Sequence, residues 1–139
     1  MKTDLVKKVW PLLPRILLRQ LPRKIEIVSV AEKRSRLLNL IYRRKNKPAN
    51  VLSFLYGLDV SRRSRQAKAD YGEILICPVL IRREAKKQGN TYKYQMTWMV
   101  LHGMIHLAGL HHEESRRLAE RVEKLEHSIL RKLSSQAKL

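Results

Sequence analysis

Apolar positions along this chain recur at two different periods, and the switches between them divide it into helices and strands. Residues 5 to 21 hold Leu5, Trp10, Leu13, Leu17 and Leu21 at roughly helical spacing, with Pro11 and Pro14 among them, which predicts one interrupted amphipathic helix. From Lys24 to Val30 the period shortens. Ile25 and Ile27 fall on one face and Val28 and Val30 on the other, predicting a strand with both faces partly buried. Ala31 to Arg44 returns to helical spacing, with Leu37, Leu40 and Ile41 expected inward and Lys33, Arg34, Arg36, Arg43 and Arg44 outward. Lys45 to Pro48 ends that helix.

Asn50 to Tyr56 reads as a second strand from its β-branched and aromatic content, closed by Gly57, and Tyr71 to Ile76 as a third. Between them, Ser61 to Ala69 carries four positive charges and no large apolar residue, so a mobile loop is expected. Pro78 suits the first turn of a helix that runs to about Gly89. Asn90 or Thr91 can cap the next helix, which continues through Trp98, Leu101, Ile105 and Ala108 and is apolar on almost every side, as an interior helix is. Glu113 and Glu114 suit the positive end of a last helix striped by Leu118, Val122, Leu125, Ile129 and Leu133, with fraying expected over residues 134–139. This order predicts a single α+β domain over 1–139, with a small, mostly parallel or mixed sheet, one buried central helix and others covering it.

Charge changes the picture. Thirty Lys and Arg against twelve Asp and Glu leave +18, a surplus that points to a polyanionic partner, with nucleic acid ahead of a membrane surface. Eighteen of the thirty cations but only five of the twelve acids lie in residues 1–70, densest over Arg43 to Lys47 and Arg62 to Lys68. Arg44, Lys45, Lys47, Arg62, Arg63 and Arg65 are the candidate phosphate contacts, and Tyr42, Tyr56 and Tyr71 could stack on unpaired bases, although tyrosines at strand ends are more often half-buried core residues. No apolar run approaches the ~20 residues that span a bilayer. The first residues lack the pattern of a signal peptide, and the one cysteine excludes an intramolecular disulfide, so a cytoplasmic protein without a membrane partner is expected. Cys77 reads as a small buried hydrophobe and His127 as a solvated residue. Glycine fingerprints for dinucleotides or phosphate loops are absent, as are internal repeats.

The chemistry concentrates in L-H-G-M-I-H-L-A-G-L-H-H, residues 101–112. On a helix His102 and His106 stack on one face and can aim two imidazoles at one point. Gly109 can stop the helix, and the turn after it can bring back His112 as a third ligand; His111 is the alternative third ligand or a neighbour that supports one. Three imidazoles with one open position suit a catalytic zinc, with nickel and cobalt as competitors for the same ligands. Metallopeptidases with this histidine spacing carry a glutamate base directly after the first histidine. Here that position is Gly103, and Glu113 and Glu114 are offset from it. A phosphodiester is the better substrate, because cations supply much of the stabilisation.

His102 to His112, H-G-M-I-H-L-A-G-L-H-H, resembles the H-G-x-L-H-L-x-G-Y-D-H signature of the YbeY family of bacterial rRNA maturation factors, which are metal-dependent endoribonucleases. Leu38 to Phe54, L-N-L-I-Y-R-R-K-N-K-P-A-N-V-L-S-F, and Gly72 to Pro78, G-E-I-L-I-C-P, resemble two further segments of that family, in the same order. The resemblance implies one zinc on His102, His106 and His112, with Arg43 in the place of the family's functional arginine. It also implies single-strand-specific cleavage in ribosomal RNA processing, at the 3′ end of 16S rRNA, and a role in ribosome assembly or quality control with the ribosomal subunit as partner. Leu110-His111 replaces a Tyr-Asp pair, Ala49 a threonine and Asn46 an acidic residue, and none of these is a ligand in the implied set. Two other functions compete: a basic ribosome- or RNA-binding protein with a non-catalytic metal site, and a metallopeptidase, which Gly103 disfavours.

Overall fold

A computed structural model describes residues 2–57, 69–109 and 115–135. The expected loop over 61–69 therefore falls almost wholly outside the described residues, as do His111, His112, Glu113, Glu114, Arg62, Arg63 and Arg65. Proline divides the N-terminal stretch: α1 (Lys2–Val9) passes into a 3₁₀ turn (Trp10–Leu12) with Pro11 in its first turn, and Pro14 opens the short α2 (Arg15–Leu18). Val6, Val9, Leu13, Leu17 and Leu21 from this stretch all reach the core.

Three strands follow in a mixed sheet of order β1-β3-β2. The central β3 (Tyr71–Ile76) pairs in parallel with β1 (Lys24–Ser29) and antiparallel with β2 (Val51–Tyr56). Ile74 and Ile76 are wholly buried on the face that receives the interior helix. The expected second buried face of β1 is absent: Ile25 is buried and Ile27 partly so, but Val28 is exposed and Val30 lies beyond the strand.

α4 (Pro78–Gln88) begins at its proline and closes on Gly89. Thr91, rather than Asn90, caps α5 (Tyr92–Leu107), accepting the Tyr94 amide at 3.1 Å. Met96, Val100, Leu101, Met104, Ile105 and Leu107 bury α5 between the sheet and the other helices, as its all-round apolarity predicts. α6 (Arg116–Ser135) covers it, seated by Val122, Ile129, Leu130 and Leu133, and begins where the Ser115 hydroxyl accepts the Leu118 amide. Ser134 and Ser135 are still helical, so the expected fraying does not start there. Ala69, placed with the loop from sequence, is buried.

The face of α3 (Glu32–Arg43) is the main correction. Leu37, Leu40 and Ile41, expected inward, are 54%, 43% and 59% exposed, whereas Ser35 and Asn39 are 1% exposed. These two polar residues, one helical turn apart, turn inward because each has backbone to bind. The Ser35 hydroxyl donates to the Ala49 carbonyl at 2.6 Å and accepts the Ala49 amide at 2.9 Å, and Asn39 Nδ2 donates to the Lys47 carbonyl at 2.8 Å. The segment after the helix is thus strapped along it and enters β2 beside α5. Arg44 makes the turn, in the left-handed conformation at φ 57°.

Candidate functional site

At Gly103 α5 comes down directly onto the side chains of Ile74 and Ser53 in the sheet. A Cβ built on Gly103 would lie 2.9 Å from Ile74 Cγ2 and 3.1 Å from Ser53 Oγ, so any side chain here would force Ile74 and Ser53 to shift, and the Ser53 hydroxyl donates to the Gly103 carbonyl at 3.2 Å. The residue after His102 therefore faces the sheet and packs against it. One turn apart on an adjoining face, His102 and His106 bring their ring centroids to 4.4 Å. α5 ends at Leu107, and Gly109 takes φ 92°, the conformation expected of the helix stop. His102 and His106 are the members of the histidine set among the described residues; the third-ligand choice between His112 and His111 lies outside them.

Both histidines line a cavity of about 650 Å³ whose opposite wall is the strapped segment. Arg43, Lys45 and Lys47 line it, with Tyr42, Asn39 and β2. β2, which lines the cavity from Val51 to Leu55, is an edge strand, so this wall lies at the sheet's margin. Arg43 sits in the last turn of α3, where a cation also complements the helix dipole. Arg44, a candidate phosphate contact from sequence, is not among the lining residues. Tyr42 is 63% exposed and meets Phe54 edge to face at 4.9 Å. Tyr56 and Tyr71 do not line the cavity. They lie side by side across β2 and β3, Tyr56 donating to Glu73 and Tyr71 to Glu26 and Glu73. The hydrogen bond to Glu26, then burial and the two carboxylates' charge, push the Tyr71 phenol well above its ordinary range.

A residue that the sequence reading passed over completes the histidine helix. Glu126 of α6, only 4% exposed, receives the Trp98 indole N–H at 2.9 Å and lies 3.0 Å from His102 Nδ1. The available signal was an acid set among Val122, Ile129 and Leu130, inside the apolar stripe of α6 rather than opposite it. His127, expected to be solvated, is half-covered, with its ring 5.2 Å from Trp98. Cys77 is buried, as expected.

A family model described as Endoribonuclease YbeY matches residues 3–134. The chain belongs to that family. A YbeY endoribonuclease of Azoarcus is 36% identical over 110 residues, a match covering 79% of this chain and 43% of that relative. One of Acinetobacter baumannii is 37% identical over 111 residues, covering 80% of this chain and 70% of its own length. The chain thus spans less than half of the first of these relatives. Among solved structures, a solution structure of a Thermotoga maritima protein aligns over 98% of this chain and 88% of its own, at a TM-score of 0.56 and 25% identity. The α+β architecture with a mixed sheet behind the histidine helix is that of this YbeY-type fold. Among the described residues no helix is long and apolar enough to cross a membrane.

Proposed function

We propose that the chain is a zinc-dependent endoribonuclease that cuts single-stranded RNA, acting in the cytoplasm on ribosomal RNA at the 3′ end of 16S within the ribosomal subunit. The observation that carries this reading is a single cavity lined at once by His102 and His106 and by Arg43, Lys45 and Lys47. A phosphate backbone needs cations along its path, because they displace its condensed counterions, and the net charge of +18 suits such a partner. The family's name and the names of the relatives support RNA as the substrate.

The donor set fits zinc: imidazoles four residues apart on one helix, one of them held by a carboxylate, with a further histidine, His112 or His111, on the chain after Gly109. Nickel and cobalt accept the same ligands. When bound, the metal supplies a Lewis acid for a phosphoryl oxygen and activates water for attack. Arg43 pairs with the scissile phosphate and stabilises its developing charge. Lys45 and Lys47 hold flanking phosphates, and Tyr42 offers its ring to an unpaired base.

The test is elemental analysis of the purified chain together with cleavage of matched single- and double-stranded RNA. About one zinc per chain is expected, lost in His102→Ala, His106→Ala and His112→Ala and kept in His111→Ala. Cuts should fall inside the single strand. Bound zinc and tight RNA binding without any cleavage would replace the nuclease by a basic RNA-binding protein with a non-catalytic metal site.

A further inference from the structure

Glu126 is a costly residue where it stands. Carboxylates are rarely buried, and an apolar side chain would continue the stripe that Val122, Ile129 and Leu130 make on α6. Its two partners, Trp98 and His102, are both on α5, one turn apart. Trp98 Nε1 is a donor only, so it takes part of the acceptor capacity of Oε2, while His102 Nδ1 lies 3.0 Å from Oε2 and 3.3 Å from Oε1.

We infer that Glu126 is a positioning residue for the histidine site: it fixes His102 in the tautomer that carries its proton on Nδ1, so that Nε2 is the ligating nitrogen. A neutral imidazole has one N–H and one lone pair, and a carboxylate at Nδ1 selects the N–H there. The same bond stops the ring rotating about its two side-chain torsions and makes Nε2 more electron-rich. Trp98 locks the carboxylate in turn, so the second helix of the pair, α6, belongs to the site although it contributes no residue to the cavity lining. The consequence for metal binding rests on the zinc reading above; the tautomer does not.

The experiment compares the full chain with Glu126→Gln and Glu126→Leu. In the metal-free protein at alkaline pH, nitrogen-detected imidazole spectra read the tautomer of His102, assigned by its loss in His102→Ala. The parent should give Nδ1–H, and Glu126→Leu should revert towards the Nε2–H form. In parallel, competition with a chromophoric chelator reads zinc affinity, expected to fall about ten- to a hundredfold in Glu126→Leu and several-fold in Glu126→Gln, whose amide oxygen still accepts from Nδ1–H but carries no charge. Circular dichroism and thermal melting keep account of folding, and Glu126→Gln, which retains the shape and an acceptor, covers the case in which the leucine variant fails to fold. Zinc affinity within twofold of the parent in a folded variant, or an Nε2–H tautomer in the parent, would overturn the inference. If the parent takes up no zinc at all, the zinc reading falls by itself, and the tautomer still decides whether Glu126 positions His102.

Discussion

Ser35→Ala removes one oxygen atom and two hydrogen bonds, both to Ala49. Ser35 is the better of the two anchors on α3, because Asn39 leaves its buried Oδ1 without a partner among the described residues. A typical hydrogen bond contributes about 1 kcal/mol net, and a buried backbone group left unpaired costs a further ~1–3 kcal/mol. Ala49 is only partly covered, so water can recover some of this. The expected loss is about 2–3 kcal/mol. In a chain of 139 residues that lowers the melting temperature by roughly 6–12 °C. Urea unfolding followed by helical circular dichroism measures it, with Ser135→Ala as the control: its hydroxyl bonds the Lys132 carbonyl at the exposed end of α6 and should matter by less than about 0.5 kcal/mol. Because the strap carries Lys45 and Lys47, the variant should also raise the KM for RNA more than it lowers kcat. A Ser35→Ala protein as stable as Ser135→Ala, with unchanged KM, would refute the argument that this hydroxyl holds the cationic wall.

Arg43→Ala should bind RNA within a few-fold of the parent yet cut it on the order of a hundredfold more slowly in single turnover, with Arg43→Lys between them, since lysine cannot copy the bidentate contact. Parental single-turnover rates in Arg43→Ala would make it an ordinary surface cation. Absorbance titration at 295 nm should show Tyr71 ionising after an ordinary tyrosine, and Glu26→Gln should move that step down. Its raised folded-state pKa means that the Tyr71–Glu26 contribution is fully present below the ordinary phenol pKa and fades as pH climbs through the raised one, so Tyr71→Phe should differ from the parent in pH dependence only on the alkaline side.

The elements that were legible are those whose signals are local. β3 runs from Tyr71 to Ile76 as its β-branched and aromatic content predicts, and Pro78, Thr91 and Gly109 mark helix ends through backbone chemistry that needs no partner. Hydrophobic pattern misled where the partner was backbone rather than core. On α3 the leucines and Ile41 look like a buried stripe, but the groups facing that helix are the Ala49 amide and the Lys47 and Ala49 carbonyls, which only Ser35 and Asn39 can satisfy. Glu126 interrupts the apolar stripe of α6, but nothing in the sequence names what it meets: its partners, Trp98 and His102, are 28 and 24 residues away. The cationic wall was readable as composition, and its place beside the histidine helix depended on β2 meeting α5, a contact 50 residues apart at Ser53 and Gly103.

That contact also limits where this scaffold can go in evolution. Changing one codon at position 103 to glutamate would write the sequence of a peptidase-type zinc helix, but its Cβ would already lie 2.9 Å from Ile74 before the carboxylate was placed. The helix would have to lift off the central strand, or Ile74 shrink and Ser53 give way, before the new group had room. Such changes in a well-packed interior are coupled rather than independent, so each intermediate is less stable than either end. The two kinds of histidine helix are therefore separated by a repacked sheet, and glutamate at position 103 alone should destabilise the fold unless Ile74 and Ser53 change with it.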